Sequence, residues 1–106
     1  MLMNETLQVI RRRRSIRRYR TEQIQDEELQ AILEAGLYAP NAGDQAWHFT
    51  VVQNKELLAR LNEAAKAVAR QIPMPGLQSL GKDANHDCLH GAPTLVIVSG
   101  DEQFPV

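Results

Sequence analysis

The sequence predicts an α+β chain, with its elements in the order helix, helix, strand, helix, strand. Residues 26–37 and 54–69 repeat leucine, isoleucine, valine and alanine three and four positions apart, the period of an amphipathic helix. Residues 47–53 and 94–99 are instead short runs of aromatic, β-branched and aliphatic side chains, which suit a pleated sheet. The punctuation agrees: Gly36 and Pro40, then Pro73, Pro75 and Gly76, fall where the two helical repeats stop.

Each element has a local reason. Leu2, Thr6, Val9 and Ile10 follow helical spacing, so a first helix is expected over about 4–13, with Asn4 or Thr6 able to cap it. Residues 15–20 carry a β-branched and an aromatic side chain without helical period, and read as extended chain. Thr21 or Asp26 then opens the second helix, where Glu27 and Glu28 suit the positive end of the dipole and Leu29, Ile32, Leu33 and Leu37 form the apolar stripe. Residues 40–46 read as a loop and 47–53 as a strand. Asn54 caps a third helix whose apolar face is Leu57, Leu58, Leu61, Ala65, Val68 and Ala69. After Pro73 an irregular polar stretch is expected to about Gly91, and then a second strand over 94–99. That strand is apolar throughout, the pattern of one covered on both faces in the middle of a sheet. Two strands make a poor sheet, so either another chain or further sequence is expected to complete it.

The chain has 106 residues, 43% of them apolar and 24% charged, the balance of one water-soluble domain. No apolar run approaches the roughly 20 residues of a membrane span. The first residues lack the layout of a secretory signal, and the single cysteine, Cys88, fits a reducing cytoplasm. The net charge of −1 hides an asymmetry. Seven of the 12 basic residues are arginines within positions 11–20, which hold no acid. Five basic against 13 acidic residues remain elsewhere, a net of −8. Such a block points to one anionic partner at one place, or to a solvated charged face.

Guanidinium is a planar fork of donors that grips phosphate in a bidentate fashion. Extended chain alternates its side chains, so Arg13, Ser15 and Arg17 fall on one side and Arg14 and Arg18 on the other. Two guanidiniums and a hydroxyl on one side make a cradle for a phosphate or an anionic ring. No aromatic stacking platform accompanies the arginines, so nucleic acid is not the expected partner. His86, Cys88 and His90 are spaced one residue apart, closer than the usual zinc pairs, and read as a polar loop with no metal. Neither of the common glycine-rich nucleotide loops is present, and no nucleophile or acid–base motif marks a catalytic residue. His48 lies between Trp47 and Phe49 on a strand, so it is expected to point away from both.

Four blocks in order resemble the N-terminal half of the nitroreductase family of flavin mononucleotide (FMN) enzymes, across nearly the whole chain. They are Arg13-Arg14-Ser15-Ile16-Arg17-Arg18-Tyr19, Ala35-Gly36-Leu37-Tyr38-Ala39-Pro40, Gln45-Ala46-Trp47-His48-Phe49-Thr50-Val51-Val52 and Gly91-Ala92-Pro93-Thr94-Leu95-Val96-Ile97-Val98. The resemblance implies a nitroreductase-like α+β fold with helices packed on a mixed β-sheet. Residues 1–106 would form its N-terminal portion, the C-terminal half being absent. It also implies a homodimer with FMN at the subunit interface. Arg13 and Ser15 would contact the phosphate, Arg17 the pyrimidine edge of the ring, and Arg14 a further part of the cofactor. Pro40, Asn41, Ala42 and Gly43 would reach the flavin from the other subunit. The implied activity passes electrons from NAD(P)H through FMN to small nitroaromatic or quinone-like acceptors, by a ping-pong mechanism. The alternative is a non-catalytic, shortened dimerisation and anion-binding module derived from that fold.

Overall fold

Asn4 and Asn54 each open a helix by accepting a backbone N–H three residues ahead, from Leu7 at 2.9 Å and from Leu57 at 3.0 Å. Each satisfies one of the donors that a helix start leaves unpaired. The computed structural model describes residues 3–40 and 47–100. Its elements are α1 (Glu5–Arg12), α2 (Asp26–Leu37), β1 (Trp47–Val52), α3 (Lys55–Gln71), α4 (Pro75–Lys82) and β2 (Leu95–Gly100). At the start of α2, the Glu28 carboxylate reaches back to accept the Gln25 N–H at 2.9 Å. Replacing Asn54 with alanine is expected to cost about 1 kcal/mol, read as a lower urea midpoint.

The α+β class is borne out, and the three expected helices and two expected strands are all present. One element differs from expectation. The stretch after Pro73 contains α4, because proline at the first turn of a helix loses no hydrogen bond and already has a helical φ. Pro75-Gly76 is therefore a helix start, not the stop that its composition suggests.

The strands β1 and β2 pair antiparallel, with Trp47 opposite Gly100 and Val52 opposite Leu95. Along β1 the side chains alternate as expected: Trp47 and Phe49 are half-buried, whereas His48 and Thr50 are exposed. The Phe49 ring lies against α2 at Gly36, where a Cβ would come within 2.9 Å of it. Leu29 of α2, Val52 of β1 and Leu58 of α3 are the buried apolar residues among those described.

α4 packs closely on α3. The Lys66 side chain, only 4% exposed, donates to the Asp83 carbonyl at 2.6 Å, and Arg70 donates to the Gly81 carbonyl at 3.1 Å. Two cations of α3 thus satisfy carbonyls at the C-terminal end of α4, the end that attracts positive charge.

Here β2 departs from the expectation of a strand covered on both faces. Ile97 and Val98 are 41% and 51% exposed, because among the described residues β1 is its one strand partner. Val9 and Ile10 of α1 are also open, at 64% and 63%. The accessible surface is 9059 Å², against about 5,900 Å² for a compact chain of this mass. The radius of gyration, 17.1 Å, likewise exceeds the roughly 13 Å of a compact domain.

Candidate functional site

The arginine segment leaves α1 as irregular chain. Arg13, with φ −55° and ψ 135°, ends the helix, and residues 13–20 form neither helix nor strand. All of them are exposed. Arg13 donates to Ser15 Oγ at 3.5 Å, so these two side chains share one side of the chain, as their alternation predicts. Arg14 is turned elsewhere. Its Nη1 donates to the carbonyls of Arg11 at 3.1 Å and Arg13 at 2.9 Å, which closes the end of α1. Among the described residues, no carboxylate pairs with Arg13 or Arg17. Beyond its bond to Ser15 the Arg13 fork is open, and with the Ser15 hydroxyl it supplies donors that a phosphate dianion accepts, while no bond brings Arg17 to either of them among the described residues.

The far end of the segment is fastened to residues just before β2. Tyr19 donates its N–H to the His90 carbonyl at 3.1 Å. Gln23 Nε2 donates to the Pro93 carbonyl at 3.0 Å, while Gln23 Oε1 accepts from the Thr94 hydroxyl. Thr94 Oγ1 in turn accepts from Gln53 Nε2 at 3.0 Å, which ties in the chain leaving β1. Sequence reasoning does not reveal this anchor. The polar partners are distant along the chain, and only the Gly91-Ala92-Pro93-Thr94 block marks the receiving side.

An apolar cavity of about 420 Å³ lies behind the anchor, lined in part by Tyr19, Ile24, Leu29, Ile32, Leu89 and Val96. Neither Arg13 nor Ser15 lines it, so the polar cradle and the apolar cavity are separate features. Pro40 is exposed just beyond α2, whereas Asn41, Ala42 and Gly43 lie outside the described residues. The His86–His90 stretch is a tied loop in which Cys88 donates its N–H to Asn62 Oδ1 of α3 at 2.8 Å. Among the described residues, no group of three or more His, Cys, Asp or Glu side chains is placed to hold a metal ion.

The Nitroreductase family model matches residues 10–105, a span containing the whole cradle and its anchor. An NADH dehydrogenase of Thermus thermophilus is 38% identical over 80 residues, which are 74% of this chain and 39% of that protein. A relative from Archaeoglobus fulgidus is 49% identical over 63 residues, 58% of this chain and 36% of its own length. Among solved structures, a nitroreductase of Bacteroides fragilis with bound FMN aligns with a TM-score of 0.90 at 42% identity. The match covers 95% of this chain and 55% of that one. A nitroreductase of Desulfitobacterium hafniense with bound FMN aligns at 0.85 and 35% identity, covering 96% and 55%. The chain thus spans between about a third and just over half of the length of these relatives.

Proposed function

The chain belongs to the nitroreductase family, and on that premise we propose that it is the N-terminal portion of an FMN-dependent oxidoreductase domain. The observation that carries this reading is the cradle itself. Arg13 and Ser15 stand together on exposed chain, with no carboxylate partner among the described residues, inside the span that the family matches. That donor set fits a phosphate monoester.

When bound, FMN supplies the redox chemistry, accepting hydride from NAD(P)H and passing electrons to an acceptor. The chain's part is binding and charge. Arg13 and Ser15 would hold the phosphate, and Arg17 would supply a fixed positive charge toward the pyrimidine edge, which favours an anionic reduced ring. Arg14 supports the site through the end of α1, where its guanidinium already satisfies two carbonyls. In a homodimer the remaining proposed cofactor residue among those described, Pro40, would approach the cofactor from the second copy. Donor and acceptor use the same cleft in turn, the order of a ping-pong reaction, with nitroaromatics or quinones as the acceptor class. No catalytic side chain is assigned, because position and charge are what this chemistry requires of the protein.

A homodimer suits the surface. About 3,100 Å² beyond the compact expectation is open on one copy, whereas a standard interface buries about 800 Å² on each partner. The exposed residues Val9 and Ile10 of α1, and Ile97 and Val98 of β2, are apolar and fit such an interface. A cytoplasmic setting suits the unpaired Cys88.

The test is to titrate the purified chain with FMN, then supply NAD(P)H and a quinone. The expected result is quenched flavin fluorescence and acceptor-dependent loss of NAD(P)H. A protein that quenches FMN without turnover supports the non-catalytic anion-binding module. One that takes up no FMN overturns the cofactor assignment.

A further inference from the structure

We infer that Asp87 is a positioning residue for the arginine cradle, acting through the turn at residues 87–91; the role rests on the FMN site proposed above. Asp87 is half-buried and both of its carboxylate oxygens are engaged. Oδ1 accepts the Leu89 N–H at 2.8 Å and Oδ2 accepts the Gly91 N–H at 3.0 Å. Its backbone carbonyl accepts the His90 N–H at 3.1 Å. One residue therefore holds three successive amides of the turn.

The turn needs that support. His90 and Gly91 have φ of 57° and 72°, both in the left-handed region, which is unfavourable for a residue with a Cβ such as His90. In that conformation the His90 carbonyl accepts the Tyr19 N–H. Tyr19 stands two residues beyond Arg17, at the end of the segment that starts with Arg13 and Ser15. The route from Asp87 to the cradle is thus carboxylate, turn, His90 carbonyl, Tyr19 amide and arginine segment. Asn62 holds the same loop from α3 through the Cys88 amide, so the turn has a rigid base.

Charge alone predicts the opposite sign. A carboxylate repels an anion, so by charge alone its removal would tighten FMN binding. Positioning predicts that its removal weakens binding, because the arginines lose their fixed geometry.

The experiment measures FMN affinity by fluorescence quenching, and hydrogen exchange at the Tyr19 amide, in the wild type, Asp87→Ala and Asp87→Asn. Asp87→Ala is expected to raise the FMN Kd about tenfold and to speed Tyr19 exchange, while the Leu58 amide of α3 keeps its protection. Asp87→Asn keeps one side-chain acceptor and is expected to fall between, a partial rescue that charge removal does not give. Should Asp87→Ala fail to fold, Gly91→Ala strains the same turn at its left-handed position and is expected to weaken FMN binding and speed Tyr19 exchange in the same way. Equal or tighter FMN binding by Asp87→Ala overturns the role, as does unchanged Tyr19 exchange. A wild-type chain that takes up no FMN overturns the functional reading and the role with it, whereas normal wild-type binding with unaffected variants overturns the role alone.

Discussion

Replacing Arg13 and Arg17 together with alanine is expected to weaken FMN binding by at least ~2 kcal/mol, about 30-fold in Kd. The figure follows from the hydrogen bonds that the double substitution removes. A charge-assisted hydrogen bond is about twice as strong as a neutral one, and the fork of Arg13 presents two donors to one phosphate. Among the described residues, nothing else claims either guanidinium except the 3.5 Å bond from Arg13 to Ser15, so the variant breaks no ion pair within the chain. Stability should therefore hardly move while affinity falls. Ser15→Ala removes one neutral donor and is expected to cost about 1 kcal/mol. Arg13→Lys keeps the charge but not the planar fork, and should recover only part of the affinity. Fluorescence titrations of these variants against FMN, beside their urea midpoints, separate binding from folding.

Gly81→Ala is expected to destabilise the fold, although alanine is the better helix former. Its Cβ would stand 2.7 Å from the Lys66 carbonyl oxygen, 2.7 Å from Arg70 Cγ and 2.9 Å from the Arg70 amide nitrogen. Two of those atoms are backbone of α3, so relief requires the helices to separate. Separation also lengthens the bonds from Lys66 to Asp83 and from Arg70 to Gly81. Overpacking of this kind costs about 1–3 kcal/mol and backbone cannot yield, so the upper part of that range applies. The propensity gain of up to about 1 kcal/mol leaves the net effect destabilising. Gly76 is the internal control. It sits in the same helix, and a Cβ there meets nothing within 4 Å, so Gly76→Ala is expected to stabilise or leave the midpoint unchanged. Opposite signs from one substitution at two positions of α4 would identify the packing of α4 on α3 as the cause. Equal signs would mean that propensity governs.

Local chemistry makes much of the fold legible. Asn4 and Asn54 announce their helices because a cap joins near neighbours, and the alternation of β1 follows from strand geometry alone. Pro75 misleads because proline both ends and begins helices, and only the residues after it decide which. Exposure of β2 is not legible, since apolar composition records what a strand is suited to touch and not what lies beside it. In the site, the pairing of Arg13 with Ser15 follows from a two-residue period. The turning of Arg14 onto the carbonyls of α1 does not, because it depends on where the helix stops. Least legible is the anchor. Tyr19, Gln23, Gln53, Asp87, His90 and Thr94 are ordinary as single letters, and only the fold joins them into two sets of bonds, Tyr19 with His90 and Asp87, and Gln23 with Thr94 and Gln53.

The claim that a phosphate sits on Arg13 and Ser15 is tested most directly by comparing FMN with riboflavin, which has the same ring and lacks the phosphate. Affinities for both, measured on the wild type and on Arg13→Ala at one ionic strength, isolate the phosphate interaction. The expected result is that the wild type prefers FMN by at least about tenfold and that Arg13→Ala loses most of that preference. Equal affinity for the two flavins, or a preference for FMN that survives Arg13→Ala intact, would contradict it.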